Sequence, residues 1–233
     1  MISAKELTKH YSGKVALDNL SLDIAPGEIF CLLGQNGAGK TTTINCFLGF
    51  VQPTSGQVFV NNLDVAEHPV ESKKHLAYLP EVVTLYPNLT GIENLDYFSR
   101  LAGFQHEKGD LQMYLESAGL SGNDFGRRVS TYSKGMRQKV GIAIALAKKA
   151  KALFLDEPTS GLDPKASNDF SHLLLELRNE GVAMLMATHD IFRAKDVANR
   201  IGIMKDGHLV NVLDNNRNTL DAKDIEELYL QTI

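Results

Sequence analysis

A glycine-rich segment has the residue types and spacing of a phosphate-binding loop. The run Gly34-Gln-Asn-Gly-Ala-Gly-Lys-Thr41 fits the pattern Gly-x4-Gly-Lys-Thr. Glycines let backbone N–H groups approach phosphate oxygens closely, and the dipole of a following helix favours an anion there. We expect Lys40 to reach the β- and γ-phosphates of a nucleotide and the Thr41 hydroxyl to bind Mg²⁺. The other expected phosphate contacts are Gly34, Gln35, Asn36, Gly37, Ala38, Gly39 and Thr42.

Two adjacent carboxylates follow a second apolar segment. Asp156 and Glu157 come directly after Leu153-Phe-Leu, which places them at the carboxyl end of a buried strand, where open α/β sheets bind ligands. Asp156 suits Mg²⁺, bound directly or through water, and Glu157 suits a group that orients water attacking a γ-phosphate. For a lone Asp-Glu pair, a solvated acidic turn would be the better explanation. The phosphate loop and the following Thr159-Ser-Gly-Leu-Asp163 favour the catalytic interpretation.

The elements that must position these residues are strands and helices in alternation, which predicts an α/β fold with a mostly parallel sheet. Between about residues 82 and 150 the pattern becomes mainly helical and predicts a helical insertion. We therefore expect one domain over 1–233, with a core lobe of 1–81 and 151–213, a helical subdomain of 82–150 and a tail of 214–233. Strands are expected at residues 20–24, 29–33, 152–155, 182–187, 201–204 and 209–213, and helices from Met136 to Ala147 and from Pro164 to near Gly181.

Composition restricts the function further. The net charge of −4 leaves no surplus of cations for binding nucleic acid, so no nucleic-acid partner is expected. No apolar stretch reaches the 18 or so residues needed to cross a bilayer, and the first residues lack the apolar region of an export signal. A cytoplasmic location is predicted. The two cysteines, Cys31 and Cys46, are interpreted as reduced core residues.

These motifs together resemble those of ABC-type ATPases, the nucleotide-binding subunits of ATP-driven transporters. The resemblance runs from about residue 2 to residue 213 and keeps the motif order of that family. It adds to the phosphate loop and the carboxylate pair an aromatic residue, a signature, a D-loop and a switch histidine: Tyr11, Tyr132-Ser-Lys-Gly-Met136, Ser160-Gly-Leu-Asp163 and Thr188-His-Asp190. It implies a P-loop NTPase (RecA-like) core with a mixed, mostly parallel sheet, N-terminal antiparallel strands and a helical insertion subdomain.

The resemblance also implies roles for individual residues. Tyr11 would stack on adenine, although its position also suits an ordinary aromatic at a strand edge. His189 would contact the γ-phosphate, which makes Lys40, Glu157 and His189 the catalytic set, with ATP and Mg²⁺ as cofactors. Ser133 and Gly135 would contact the γ-phosphate of ATP on a partner subunit, and Asp163 of the D-loop is placed with these nucleotide contacts. Two ATP molecules would thus lie between two subunits.

Two motifs depart from the family pattern. The signature has Lys134 in place of the first glycine and Met136 in place of the final glutamine. At the Q-loop, Glu81 stands where glutamine is expected; it can still bind Mg²⁺ through oxygen, but it cannot donate from an amide. The Tyr-Ser-Lys-Gly-Met version resembles a subgroup paired with ABC-2-type permeases, mostly exporters.

The function implied is ATP hydrolysis that drives a separate integral membrane permease, in the direction of export, with this chain peripheral at the inner face of the cell membrane. Residues 81–89 are the expected permease contact, and Ile225, Leu228 and Leu230 could form a small docking helix. The pair of ATPase subunits could be two copies or this chain with a paralogue. The alternatives are a non-transport ABC ATPase acting on ribosomes or DNA, a nucleotide sensor that does not hydrolyse, and GTPases or small-molecule kinases; no Asn-Lys-x-Asp guanine motif supports a GTPase.

Overall fold

Two β-sheets form the frame of the protein in the computed structural model, which describes residues 1–216 and 220–232. The strands are β1 (Ile2–Tyr11), β2 (Lys14–Ile24), β3 (Ile29–Gly34), β4 (Ser55–Val60), β5 (Leu63–Asp64), β6 (Leu76–Leu79), β7 (Ala152–Asp156), β8 (Ala183–Thr188), β9 (Arg200–Lys205) and β10 (His208–Asp214). One sheet has the order β2-β1-β4-β5 and is antiparallel. The other has the order β10-β9-β3-β8-β7-β6 and is parallel except for β10. The predicted fold class is therefore confirmed.

Burial explains why these segments are strands. Every residue of β3 and β8 is buried, as expected for parallel strands covered on both faces, whereas β10 at the sheet edge alternates between exposed and half-buried residues. The sequence pattern did not specify β1, β4 or β6 individually. Strand β6 has only four residues, too few for a periodic signal, yet it forms the far edge of the parallel sheet and ends two residues before Glu81.

Eight helices accompany the sheets in the described residues. They are α1 (Lys40–Phe47), α2 (Pro69–Lys74), α3 (Gly91–Leu101), α4 (Lys108–Ser117), α5 (Lys134–Ala147), α6 (Pro164–Asn179), α7 (Ile191–Val197) and α8 (Ala222–Thr232). Between residues 82 and 150 the regular elements are helices only: α3, α4, α5 and two short 3₁₀ turns. None of the helices in ranges 1–216 and 220–232 is long and apolar enough to cross a bilayer.

Side-chain caps fix where the two predicted helices begin. The Ser133 hydroxyl accepts the Met136 N–H at 3.2 Å, so α5 starts at Lys134, two residues before the apolar pattern does. The Asp163 carboxylate accepts the Ala166 N–H at 2.9 Å, and Pro164 occupies the first turn of α6. Two residues predicted to face nucleotide therefore also act as N-caps.

The core lies on both faces of the parallel sheet. Alternate residues of β3 face opposite ways: Ile29, Cys31 and Leu33 pack with helices α3 to α7, whereas Phe30 and Leu32 pack with α1 and the antiparallel sheet. Helix α8 buries Ile225 in the first of these clusters and leaves Leu230 62% exposed. The predicted tail helix thus exists and packs on its own chain.

Both cysteines are buried and free, as predicted. Burial raises the pKa of the Cys46 thiol to about 11 and raises that of Cys31 further. We expect neither thiol to react with a thiol-specific reagent at pH 8 in the folded protein, and both to react once denaturant is added. Spectrophotometric titration checks this expectation. Rapid labelling of either cysteine in the folded protein would contradict the buried positions.

Candidate nucleotide-binding and catalytic site

The glycine loop connects β3 to α1 at the carboxyl end of the parallel sheet. Gly37 and Gly39 adopt φ values of 88° and 110°, which favour glycine. A Cβ on Gly39 would come within 2.7 Å of the Ala16 carbonyl oxygen, so the loop also needs glycine to pass close to β2. The strand, loop and helix expected for phosphate binding are therefore present in that order.

Lys40 lies buried beneath this loop. Its side chain is 6% exposed, and its Nζ donates to the carbonyl oxygens of Gly34 at 2.6 Å and Gln35 at 3.3 Å. Its Nζ is also 4.0 Å from Glu157 Oε1. Desolvation lowers the pKa of Lys40, while the charges of Glu157 and Asp156 act in the opposite direction. A buried ammonium with carbonyl and carboxylate partners is well placed to donate to phosphate oxygens as well.

Strand order brings the second carboxylate to the switch histidine. Strand β8 lies between β3 and β7, so Glu157 and His189 follow neighbouring strands. His189 Nδ1 is 2.9 Å from Glu157 Oε2, and the Glu157 N–H donates to the Ala187 carbonyl at 2.9 Å. Glu157 has φ of 46°, an uncommon conformation for a residue with a side chain. The carboxylate is thus held between Lys40 and His189.

Asp156 lies beside the first turn of α1. The Thr41 hydroxyl donates to Asp156 Oδ1 at 3.3 Å. Desolvation raises the pKa of Asp156, and the neighbouring carboxylates Glu157 and Glu81 raise it as well. A hydroxyl and a carboxylate close together, in a surplus of negative charge, are the oxygen ligands that Mg²⁺ prefers beside phosphates. The residues present therefore fit this ion.

A cavity of about 340 Å³ is lined by the loop, Lys40, Thr41, Asp156 and Glu157, but not by His189. Its lining includes Glu81 and also Lys14, the first residue of β2, which sequence reasoning missed because it belongs to no motif. Tyr11 is 46% exposed at the cavity, and Lys9 Nζ lies 5.0 Å from its ring centroid. The complete lining is Tyr11, Lys14, Ala16, Gln35, Asn36, Gly37, Gly39, Lys40, Thr41, Thr42, Glu81, Asp156 and Glu157.

The signature residues lie elsewhere. Ser133, Gly135 and Asp163 line a separate cavity of about 150 Å³ between the start of α5 and the start of α6. Two residues of the phosphate loop, Gly34 and Ala38, are buried and do not line the phosphate cavity. One chain thus has two separate cavities, one lined by the phosphate loop and one lined by Ser133 and Gly135 of the signature.

Comparisons with known proteins identify the family of this chain. The family model of the ABC transporter matches residues 17–160. The chain belongs to the ABC transporter family. It is 34% identical to the ABC transporter ATP-binding protein YhcH of Bacillus subtilis, over 96% of this chain and 73% of that protein, and 34% identical to the bacitracin transport ATP-binding protein BcrA of Bacillus licheniformis, over 90% and 68%.

Solved structures show the same fold with a product bound. The dimeric ATP-binding cassette MJ0796, captured after hydrolysis with ADP and inorganic phosphate, has a TM-score of 0.81 and 27% identity, over 92% of this chain and 98% of that one. The present chain is therefore an ABC-type ATPase: an ATP-binding domain whose reaction is ATP hydrolysis. ATPases of this kind dimerise, and they work together with membrane permeases.

The raised pKa of Asp156 predicts a stability gain when the charge is removed. Because the folded pKa lies above the ordinary value of 3.8, the ionised carboxylate costs stability at neutral pH, and this cost disappears as pH falls below that value. Asp156→Asn should raise the Tm of nucleotide-free protein in EDTA at pH 7 by roughly 2 °C or more. The difference in Tm between Asp156→Asn and the unmodified chain should shrink towards pH 4.

Scanning calorimetry at both pH values measures this effect. Asp23→Asn, at an exposed position on β2, is the matched control and should leave Tm nearly unchanged. If Asp156→Asn had a lower Tm than the unmodified chain at pH 7, the ionised Asp156 carboxylate would not be destabilised by desolvation and by its acidic neighbours.

Proposed function

We propose that this chain is the ATP-hydrolysing subunit of an exporter, pairing with a second ATPase subunit around two ATP molecules and driving an ABC-2-like permease. The observation that carries the catalytic part is the position of Glu157, between the buried Lys40 ammonium and His189 at the carboxyl ends of β7 and β8. Lys40 and Glu157 line the cavity where a γ-phosphate bound to the loop would lie, and His189 contacts Glu157.

Hydrolysis would proceed by in-line attack of water on the γ-phosphate. Glu157 would orient the water, while Lys40 and His189 would stabilise the charge of the transferred group. The Lys40 ammonium now donates to loop carbonyls, and phosphate oxygens would become its additional partners. Thr41 and Asp156 would hold Mg²⁺, which supplies positive charge at the phosphates when bound. Tyr11, exposed at the cavity mouth, would stack on adenine.

The separate signature cavity supports the arrangement in pairs. Ser133 and Gly135 lie at the N-terminus of α5, where a helix dipole favours an anion, but they line a different cavity from the phosphate loop of the same chain. A second subunit facing the opposite way would supply its own signature to this loop. Asp163, beside the signature, would then lie at the shared face.

An apolar surface beside the cavity suits the permease. Val82 is 63% exposed and Tyr86 is 48% exposed within the expected contact segment 81–89. Tyr97 and Leu101 of α3 extend this surface, with exposures of 41% and 71%. Exposed apolar side chains in such a group mark interaction sites. Docking to the inner face of a membrane permease would place the chain on the cytoplasmic side.

Two observations favour export through an ABC-2-like permease. The Tyr132-Ser-Lys-Gly-Met136 signature resembles the exporter subgroup, and a relative over most of this chain is named a bacitracin transport ATP-binding protein. The competing role on ribosomes or DNA has less support, because a net charge of −4 disfavours binding to phosphate backbones.

Glu157→Gln tests the catalytic assignment. The variant should bind ATP about as tightly as the unmodified chain, because the phosphate loop is intact, while kcat falls by about 100-fold or more. Phosphate release and equilibrium binding of ATP measure the two effects separately. Lys40→Ala is the control that should weaken binding itself. Hydrolysis at the normal rate by Glu157→Gln would show that Glu157 does not orient the water.

The permease contact is tested by Val82→Asp. A charge on this exposed side chain should reduce co-purification with the membrane permease, and should leave the ATPase rate of the isolated subunit unchanged. Leu230→Asp on α8 is the matched control, since Leu230 is 62% exposed and Val82 is 63% exposed. If only Leu230→Asp abolished the complex, the permease contact would lie on the tail helix α8 and not at Val82. Association of the chain with ribosomes or DNA instead of a permease would refute the transport function.

A further inference from the structure

The two departures from the family pattern meet in space. Glu81 stands where the family has an uncharged glutamine, and Lys134 stands where it has glycine. The positions are far apart along the chain, yet Lys134 Nζ lies 3.9 Å from Glu81 Oε1. A carboxylate and an ammonium have thus replaced two uncharged residues at neighbouring points of the fold.

A third group fixes the same carboxylate oxygen. The Ser160 hydroxyl donates to Glu81 Oε1 at 2.9 Å, and a Cβ on Gly161 would lie 3.7 Å from Lys134 Nζ. The lysine therefore lies along the turn that follows Glu157. Three segments meet at one oxygen atom: the residues after β6, the first residue of α5 and the loop between β7 and α6.

Charge explains why these two replacements would occur together. Glu81 lines the phosphate cavity with Asp156 and Glu157, and its charge contributes to the raised pKa of Asp156. A third carboxylate here would repel a triphosphate, whereas the family's glutamine would not. A cation beside Glu81 restores the charge balance that glutamine and glycine provide without charges.

The Lys134–Glu81 ion pair adds little to the stability of the fold. The Lys134 side chain is 30% exposed and that of Glu81 is 52% exposed, and such ion pairs contribute little to the free energy of unfolding. A cation close to Glu81 matters more for a highly charged ligand in the adjoining cavity, because several phosphate charges act on it at once.

We propose that Lys134 is a positioning residue that neutralises Glu81 and holds it against the Ser160 turn, so that a carboxylate can stand at the edge of the nucleotide cavity without repelling phosphate. The inference rests on the proposed nucleotide site. It assigns the two unusual residues one joint role and makes each dependent on the other.

The test is a double-mutant cycle on nucleotide affinity. Lys134→Ala, Glu81→Gln and the double variant are titrated with the magnesium complex of a fluorescent ATP analogue. Lys134→Ala alone should raise Kd about fivefold at low ionic strength, because Glu81 is then uncompensated. In the Glu81→Gln background the same change should shift Kd by less than about twofold. High salt should reduce the effect of the single variant, since it screens partly exposed charges.

The chain offers a matched control at another helix. Lys108, exposed, is the first residue of α4 and precedes Gly109, just as Lys134 begins α5 and precedes Gly135. Lys108→Ala should leave Kd unchanged. The joint role of Lys134 and Glu81 would be refuted if Lys108→Ala raised Kd as much as Lys134→Ala does. It would also be refuted if Lys134→Ala left Kd unchanged. An equal loss of affinity from Lys134→Ala whether or not Glu81→Gln is also present would refute it as well, because Lys134 would then act on the phosphates themselves.

Lys40→Ala separates this proposal from the site on which it rests. If Lys40→Ala weakens binding while the cycle shows no coupling, only the role of the pair is refuted. If Lys40→Ala leaves Kd unchanged, the nucleotide does not bind at the loop and both proposals fail. Circular dichroism on each variant confirms that the compared proteins are folded.

Discussion

The site depends on one buried cation. Lys40 Nζ is enclosed by two loop carbonyls and lies 4.0 Å from the nearest oxygen of Glu157, with 6% of its side chain exposed. A buried ammonium is tolerated only with partners of this kind. The partners come from β3 and from the residue after β7, two strands separated by β8. The order β3-β8-β7 therefore determines the chemistry, because it places the lysine, the carboxylate and the histidine at one end of the sheet.

The same arrangement makes the empty site electrostatically costly. Asp156, Glu157 and Glu81 share a cavity with Lys40, and Asp156 has its pKa raised by desolvation and by its acidic neighbours. Glu157 also adopts a backbone conformation that is uncommon for a residue with a side chain. A cation that enters the cavity beside the phosphates relieves the repulsion among these carboxylates. Under the proposed function, Mg²⁺ bound with the nucleotide would supply this cation.

Sequence patterns could predict the parts of this structure that depend on local order. The apolar runs of β3 and β8 indicated strands because every residue in them is buried, and the loop from Gly34 to Thr41 was identified because phosphate binding constrains spacing. Strand β6 was not specified, since four residues carry no clear period. The proximity of Glu81 and Lys134 could not be predicted either, because it depends on how β6 pairs with β7 and how α5 packs on them.

Two separate cavities on one chain have a consequence for how the cassette works. The phosphate loop lines one cavity and the signature at the start of α5 lines the other, which is the arrangement that the proposed pair of opposed subunits requires. Glu81 and Ser160 connect the two regions, since the hydroxyl of the first D-loop residue, Ser160, donates to a carboxylate that lines the phosphate cavity. In the proposed pair of subunits, this hydrogen bond would couple a charge bound beside Glu81 to the D-loop that faces the second subunit.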